Sequence, residues 1–337
     1  MKPEPSDKDT EELRSGGAPA IQRSACVAAE STGLRLDQAA ASLFPEFSRS
    51  RLQQWIREGA LEVDGNRGKV RDKVLAGSTL TLNAVLREET HWQPEPMALV
   101  VVFEDEHVLV IDKPAGLTVH PAAGQPAGTL ANAVLAHCPG NAELPRAGIV
   151  HRLDKDTTGL MVVAKSLPAH TSLVAQLQAH TVSRRYRAIV CGELISGGTV
   201  DLPVGRHPTA RVKMAVREGN AGKAAVTHYR IATRLQHYTE LNIELETGRT
   251  HQIRVHMAHL RHPLLGDPVY NPRYSRARGI SDELNDVLKN FRRQALHAAS
   301  LRFIHPGNNE ACEFHCEPPQ DYAALLAALH SQGAACD

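Results

Sequence analysis

The spacing of apolar residues changes several times along the chain, and each change marks a boundary. Residues 1–30 show no apolar period; Pro3, Pro5, Gly16, Gly17 and a mixed charge run from Asp7 to Arg14 dominate. Such a composition cannot offset the entropy of ordering, so a disordered tail is predicted over residues 1–32. Leu36, Ala39, Ala40 and Leu43 then recur at helical spacing, and Pro45 ends that helix. Ser48 is a candidate N-cap for a second helix, with Leu52, Trp55 and Ile56 on its inner face and Gly59 just past its end. Leu61 and Val63 alternate with polar residues, Asp64-Gly65 marks a turn, and Leu80 and Leu82 alternate with Thr79 and Thr81. Residues 33–86 therefore read as a small α+β domain.

A polar stretch with Pro94 and Pro96 follows and reads as a linker over 87–97. Short apolar runs then dominate: Leu99–Phe103 and Val108–Ile111 around the turn 104–107, then Leu160–Ala164, Ala188–Val190 and Leu241–Leu245. Helical stretches such as Ser172–His180 lie between some of them. Many strands with few helices predict an α+β domain on a mostly antiparallel, mixed sheet over 98–329. Residues 273–289 look like a charged surface insertion. Ala323–Leu329 shows a short helical pattern, and 330–337 reads as a tail.

Composition narrows the class. With 42% hydrophobic and 22% charged residues in 337, the chain has enough apolar material for a real core, which excludes a wholly disordered protein. No apolar run approaches the ~20 residues of a membrane span, and the N-terminus lacks a secretory apolar core, so a cytoplasmic protein with no membrane contact is expected. Lys and Arg number 38 against 37 Asp and Glu, so any nucleic-acid contact must use a local patch rather than overall charge. The largest local excess spans residues 182–217, with seven Lys/Arg against two acids. The six Cys form no C-x-x-C pair, and His251, His256, His259 and His262 are irregularly spaced with no Cys or acid to complete a zinc set. No metal site is expected.

Two segments carry candidate chemistry. His151-Arg152-Leu153-Asp154-Lys155-Asp156-Thr157-Thr158-Gly159-Leu160 is a polar loop between Ile149-Val150 and Leu160–Val163, both of which read as buried strands. A loop held by two rigid elements suits catalytic side chains. Taken alone, Asp154 is equally well a turn residue closing a hairpin. Glu246–His256 (ETGRTHQIRVH) places Ile253, Met257 and Leu260 on one helical face, with Thr250 as a possible N-cap and Arg249 and Arg254 in the first turns. Alone, Arg254 is an ordinary surface charge and Tyr186, in Arg184-Arg185-Tyr186-Arg187, an ordinary core residue.

In combination these segments resemble the RNA pseudouridine synthases. HRLDKDTTGL followed by MVVAKS is similar to the family's catalytic motif; ETGRTHQIRVH, HPLLGDPVY and QALHA follow in the family's order. Residues 33–86 resemble an S4 RNA-binding domain, and the resemblance spans roughly 33–325. It implies that Asp154 is the essential aspartate, that Tyr186 stacks on the flipped base and moves the C5 proton, and that Arg254 pairs with the aspartate. It further implies substrate-binding roles for Arg152, His151, Thr158, Arg249, His251, Gln252 and Leu296. RNA contacts are expected from Arg49, Arg51, Lys73, Arg184, Arg185 and Arg211. Three positions depart from the common pattern: Ala122 and Asn271 where Gly is usual, and Arg185 where Lys is usual.

The implied reaction is an isomerisation. The N1–C1′ bond of uridine breaks and C5 bonds to C1′, with no redox change, so no cofactor is expected. A carboxylate suits glycosidic cleavage, and a neighbouring Arg favours its charged form and orients it. Extruding the base costs a few kcal/mol, which stacking on a tyrosine partly offsets. The resemblance points to 23S ribosomal RNA, helix 69 of the large subunit or its precursor, as substrate, and to a monomer. An RNA- or ribosome-binding module without catalysis is the alternative.

Overall fold

The computed structural model describes residues 20–85 and 92–334, apart from positions 46, 48, 123 and 211. The chain forms two compact units, one up to Thr90 and one from His91.

In the first unit, β1 (Ala20–Cys26), α1 (Leu36–Leu43), α2 (Arg49–Glu58), β2 (Leu61–Val63), β3 (Asn66–Arg67) and β4 (Thr79–Val85) form a sheet of order β1-β4-β2-β3 under two helices. Leu36, Ala39 and Ala40 of α1 and Leu52, Trp55 and Ile56 of α2 bury against Leu61, Leu80 and Leu82. These are the faces that the spacing predicts. Asp64 and Gly65 both take positive φ, as a tight hairpin turn requires. Buried Asp37 ties the helices together: Arg35 Nε at 2.9 Å, Arg49 Nη2 at 2.6 Å and Gln53 Nε2 at 2.6 Å all donate to it. The tail is shorter than expected. Ala20–Cys26 pair along their length with β4, a partner about sixty residues away that local composition does not reveal. The expected cap Ser48 lies outside the described residues.

The second unit contains β5 (Val100–Glu104), β6 (Val108–Lys113), α3 (Leu130–His137), β7 (Thr158–Ala164), α4 (Leu167–Gln178), β8 (Ser183–Cys191), β9 (Gly198–Asp201), β10 (Val204–Arg206) and β11 (Met214–Val216). It continues with β12 (Val226–Leu235), β13 (Tyr238–Leu245), α5 (Gln252–His259), α6 (Asp282–Asn290), β14 (Leu296–Ile304), β15 (Ala311–His315) and α7 (Gln320–Ala334). Nine strands form one sheet, β5-β6-β7-β14-β8-β13-β12-β9, with β15 also on β14; β10 and β11 pair separately. Only the β7–β14 pair is parallel among the described strands, so the sheet is mixed and mostly antiparallel, as predicted. Period-two alternation assigns the two faces. Met161, Val163, Tyr186, Ala188, Leu241, Ile243 and Leu296 pack with α3 and α5. Leu160, Val162 and Ala164 pack with α4, and Ile189 and Tyr238 with α6 and α7.

The parallel pair depends on Gly159. Its φ is +111°, and a Cβ there would lie 2.3 Å from the Ala298 carbonyl oxygen. Only glycine lets β7 approach β14 closely enough to anchor the preceding loop.

Several boundaries differ from expectation. Ile149-Val150 is not a strand; Ile149 makes one isolated bridge to Val163. The helix expected at 172–180 starts at Leu167, because Ser166 accepts from the Ala169 N–H and caps it. The helix expected at Thr250 starts at Gln252. The 273–289 segment is partly packed, since α6 buries Leu284 and Leu288. The C-terminal helix runs to Ala334, past the predicted tail boundary. Residues 92–97 are docked rather than free: Glu95 N–H donates to Asn132 O at 3.0 Å, and Glu95 Oε2 accepts from Gly128 N–H at 2.7 Å.

Candidate active site

The loop before β7 is held from three sides. The Asp154 carbonyl accepts from Thr157 N–H at 3.1 Å, closing a turn. Thr157 Oγ1 accepts from Gln294 Nε2 at 3.0 Å. Lys113, fully buried at the end of β6, donates from Nζ to the carbonyls of Pro114 (2.7 Å), Leu117 (2.9 Å) and Lys155 (2.9 Å). The Asp154 side chain is thus presented by an ordered turn, and the turn and site readings of this residue are compatible.

The carboxylate meets α5. Arg254 Nη1 donates to Asp154 Oδ2 at 2.9 Å, while Nε and Nη2 bind Asp267 Oδ2 and Oδ1 at 2.7 and 2.9 Å. Asp267 is fully buried and Arg254 is 4% exposed. Burial works against the guanidinium charge, but Asp267 and then Asp154 outweigh it, so Arg254 holds its proton more tightly than usual. The guanidinium also lies over the Tyr270 ring at 5.1 Å. Among the described residues Asp154 Oδ1 has no such clamp; the His251 imidazole Nε2 lies 3.9 Å away. His251 caps α5 in the left-handed region (φ 57°), and its Nδ1 lies 2.9 Å from Tyr270 Oη.

A cleft of about 520 Å³ opens at Asp154. Arg152, Arg184, Tyr186, Arg249, Arg254 and Leu296 are among its lining residues. Tyr186 extends from β8 on the face that carries Arg184 and Ala188. Burial raises its phenol above the usual range, opposed by the Arg184 charge and helped by that of Asp154. Burial lowers the pKa of three histidines at the cleft, His120, His151 and His251. Burial and then the Arg184 charge push His151 down to about 3, and burial with Arg152 and Arg146 pushes His120 down to about 4.

The structure redistributes several expected contacts. Thr158 Oγ1 bonds His297 Nδ1 at 2.9 Å inside the β7–β14 seam, so Thr157 rather than Thr158 reaches the cleft. His151 Nε2 accepts from Val162 N–H at 3.1 Å and braces β7. Gln252 lines the cleft, but its Oε1 accepts from Thr247 and Arg249, and its Nε2 donates to Val226 O and Thr227 Oγ1. Its side chain is therefore committed to the protein. Arg249 Nε donates to Ala224 O at 3.0 Å. Strand alternation sends Arg185 to the opposite face from Tyr186, toward Glu244 at 3.7 Å. Arg51 is buried over Trp55 (5.5 Å) and Arg49 is oriented by Asp37, whereas Lys73 is exposed. Arg211 lies outside the described residues.

Lys113, Asp267 and Tyr270 are the residues that sequence reasoning missed. HPLLGDPVY contains the last two, but nothing in its pattern says that Asp267 faces Arg254. For metal, the one grouping among the described residues is Glu104, His137 and Cys138. There Lys165 Nζ already lies 2.7 Å from Glu104.

Lys113 gives a pH prediction. Burial lowers its pKa from 10.5 to about 8, against the opposing pull of Asp156 and Asp154. Between those values the unfolded chain binds the proton that the folded chain has released, so this group's contribution to stability rises with pH. Urea unfolding should show the stability difference between wild type and Lys113→Met growing in favour of wild type from about pH 8 to about 10.5. A flat difference would mean that the lysine is not desolvated.

Fold and site define an α+β enzyme in which a single carboxylate, clamped on one oxygen by arginine, faces a basic, tyrosine-lined cleft. Residues 107–259 match the family described as RNA pseudouridylate synthase. "Ribosomal large subunit pseudouridine synthase D" of Pseudomonas aeruginosa is 55% identical over 92% of this chain and 96% of that protein. The protein of the same name from Xanthomonas campestris is 50% identical over 98% and 97%. Among solved structures, human RNA pseudouridylate synthase domain containing 4 superposes with a TM-score of 0.54 at 25% identity, over 68% of this chain and 93% of that one. The chain belongs to the RNA pseudouridine synthase family. Among the described residues no helix is long and apolar enough to cross a membrane.

Proposed function

We propose that this enzyme converts uridines of 23S ribosomal RNA, those of helix 69 in the large subunit or its precursor, to pseudouridine, with Asp154 as the essential group. The observation that carries this reading is the asymmetry of the carboxylate: Arg254 engages Oδ2 at 2.9 Å and leaves Oδ1 open at the cleft. The names borne by the relatives support RNA of the large ribosomal subunit as the substrate class, and helix 69 follows from the family resemblance. The uridine leaves its stack and enters the cleft, where the Tyr186 ring offers a stacking face and Arg152 and Arg184 offer positive charge to the backbone. Asp154 assists cleavage of the N1–C1′ bond; the base turns, C5 bonds to C1′, the C5 proton leaves and N1 ends protonated. Atoms balance without a second reactant. The raised phenol pKa keeps Tyr186 protonated, so its O–H gives a proton to N1 and the phenolate left behind takes the C5 proton.

Mapping pseudouridine in ribosomal RNA from cells lacking this protein tests the substrate. Helix 69 should lose modification and regain it with the wild-type chain but not with Asp154→Asn. An unchanged map would reject the substrate. If RNA binding nevertheless persisted, the chain would be a binding module. We further assign RNA binding to the first unit as an S4-like domain, on its resemblance and on exposed Lys73 and oriented Arg49. Deleting residues 1–86 should weaken binding to ribosomal RNA and flatten its salt dependence while leaving slow chemistry. An unchanged affinity and salt slope would remove the unit from RNA recognition.

A further inference from the structure

The 273–289 insertion has no part in the cleft around Asp154, yet it walls a second one. This cleft, of about 570 Å³, lies between the insertion, the C-terminal end of α6 and the loop 265–272; Arg273, Tyr274, Lys289, Phe291 and Arg292 line it. No Asp or Glu is among its described lining residues. The three cations are exposed at the surface. Among the described residues neither Arg273 nor Lys289 has an ion-pair partner, and Arg292 Nε donates to the Lys289 carbonyl at 3.4 Å. Arg276 nearby is different: it is paired with Asp282 at 2.7 Å and does not line the cleft.

Tyr274 supplies the second observation. The residue is 40% exposed, yet its hydroxyl donates to Oδ1 of the buried Asn285 at 3.0 Å. The ring is held at its tip, so its orientation is set before any ligand arrives, which lowers the entropy cost of stacking on it. A fixed aromatic plate beside three exposed cations, with no carboxylate among the described lining residues, is an arrangement that binds a flat base next to a phosphate.

We propose that this cleft binds a nucleotide outside the uridine pocket, its base stacked on Tyr274 and its phosphates held among Arg273, Lys289 and Arg292. The nucleotide is either a residue of the substrate RNA, in which case the inference rests on the proposed function, or a free nucleotide. The cleft floor includes Gly266 and Pro268, which bracket the Asp267 that holds Arg254.

The test uses the full chain, a 23S rRNA fragment containing helix 69, and uridine 5′-monophosphate as the free-nucleotide probe. The three cations are substituted at exposed side chains, whereas Tyr274→Ala also removes the donor to buried Asn285, so thermal unfolding is measured for every variant and affinities are compared only among folded ones. If the nucleotide belongs to RNA, combining Arg273→Ala, Lys289→Ala and Arg292→Ala should lower RNA affinity about tenfold or more and reduce the slope of log affinity against log salt by about 2. Tyr274→Ala should lower affinity about tenfold with the slope kept. The tritium-release rate at saturating RNA should stay that of wild type in every variant. If the nucleotide is free, RNA binding should be unchanged and only the thermal shift given by uridine 5′-monophosphate should disappear. RNA binding and nucleotide shift both unchanged in the combined variant overturn the proposal. These binding readouts do not depend on which uridine is modified, so they separate failure of this site from failure of the assigned substrate.

Discussion

Asp154→Asn is expected to lower tritium release from 5-labelled uridine in 23S rRNA by about 10⁴-fold or more, a loss typical of removing a group that acts in the chemical step. The substitution is nearly isosteric. The asparagine carbonyl can still accept from Arg254 Nη1, so the clamp now seen at 2.9 Å is retained. The backbone of the turn is also untouched, because Lys113 and Thr157 bind main-chain carbonyls there. What changes is the open oxygen: an amide nitrogen, which can neither attack nor take a proton, stands at the cleft in its place. Affinity for RNA should stay within about twofold, since charge on Lys and Arg rather than this carboxylate dominates binding. Tritium release within tenfold of wild type would remove Asp154 from the chemistry.

Arg254→Gln should show the next largest effect, on two scales at once. Asp267 is fully buried and takes two of its hydrogen bonds from this guanidinium. Its remaining partners are the Val269 and Tyr270 N–H groups. Breaking a buried pair from one side costs about 3–5 kcal/mol, because the other charge is left uncompensated. Asp154 meanwhile loses the contact that orients it, which should slow the reaction by about 10²–10³-fold, the range seen when one preorganised donor is removed. Adding Asp267→Asn to the same chain separates the two effects. The double variant should regain much of the stability, because no buried charge remains, but none of the rate. Recovery of both would mean that Arg254 only supports the fold. Arg254→Lys keeps a charge but has no planar fork to span both carboxylates, so its rate should fall between those of glutamine and wild type.

Much of the architecture is visible along the chain because it is encoded in local period. The helices of the first unit, the Asp64-Gly65 hairpin, the strand runs and the mixed sheet follow from the spacing of apolar residues. The residues expected at the site, Asp154, Tyr186 and Arg254, do converge in space, and Arg152, Arg184, Arg249 and Leu296 line the same cleft. Their roles were legible only through the resemblance of their motifs to the RNA pseudouridine synthases; spacing alone leaves Asp154 a turn residue, Tyr186 a core residue and Arg254 a surface charge. The errors share a cause. Strand β1 was hidden because its partner lies far along the chain. Thr158, His151 and Gln252 look like contacts for a ligand by proximity to Asp154 in sequence, yet each is hydrogen-bonded into the frame. Arg185 is one residue from Tyr186, and a shift of one residue in a strand exchanges one face of the sheet for the other.

The order of residues by itself determined which side chains stand beside one another in a turn, on one face of a helix or on one face of a strand, because those relations repeat every few residues. That sufficed to single out the loop at 151–160 and the helix carrying Arg254. Only the folded chain decided which carboxylate oxygen stays open, that Asp267 backs Arg254, that Lys113 gathers three carbonyls, and that Tyr274 stands fixed over a second cleft. Each of these joins groups from segments distant in sequence, and their contact distances and burial are set by packing of the whole sheet rather than by any local repeat.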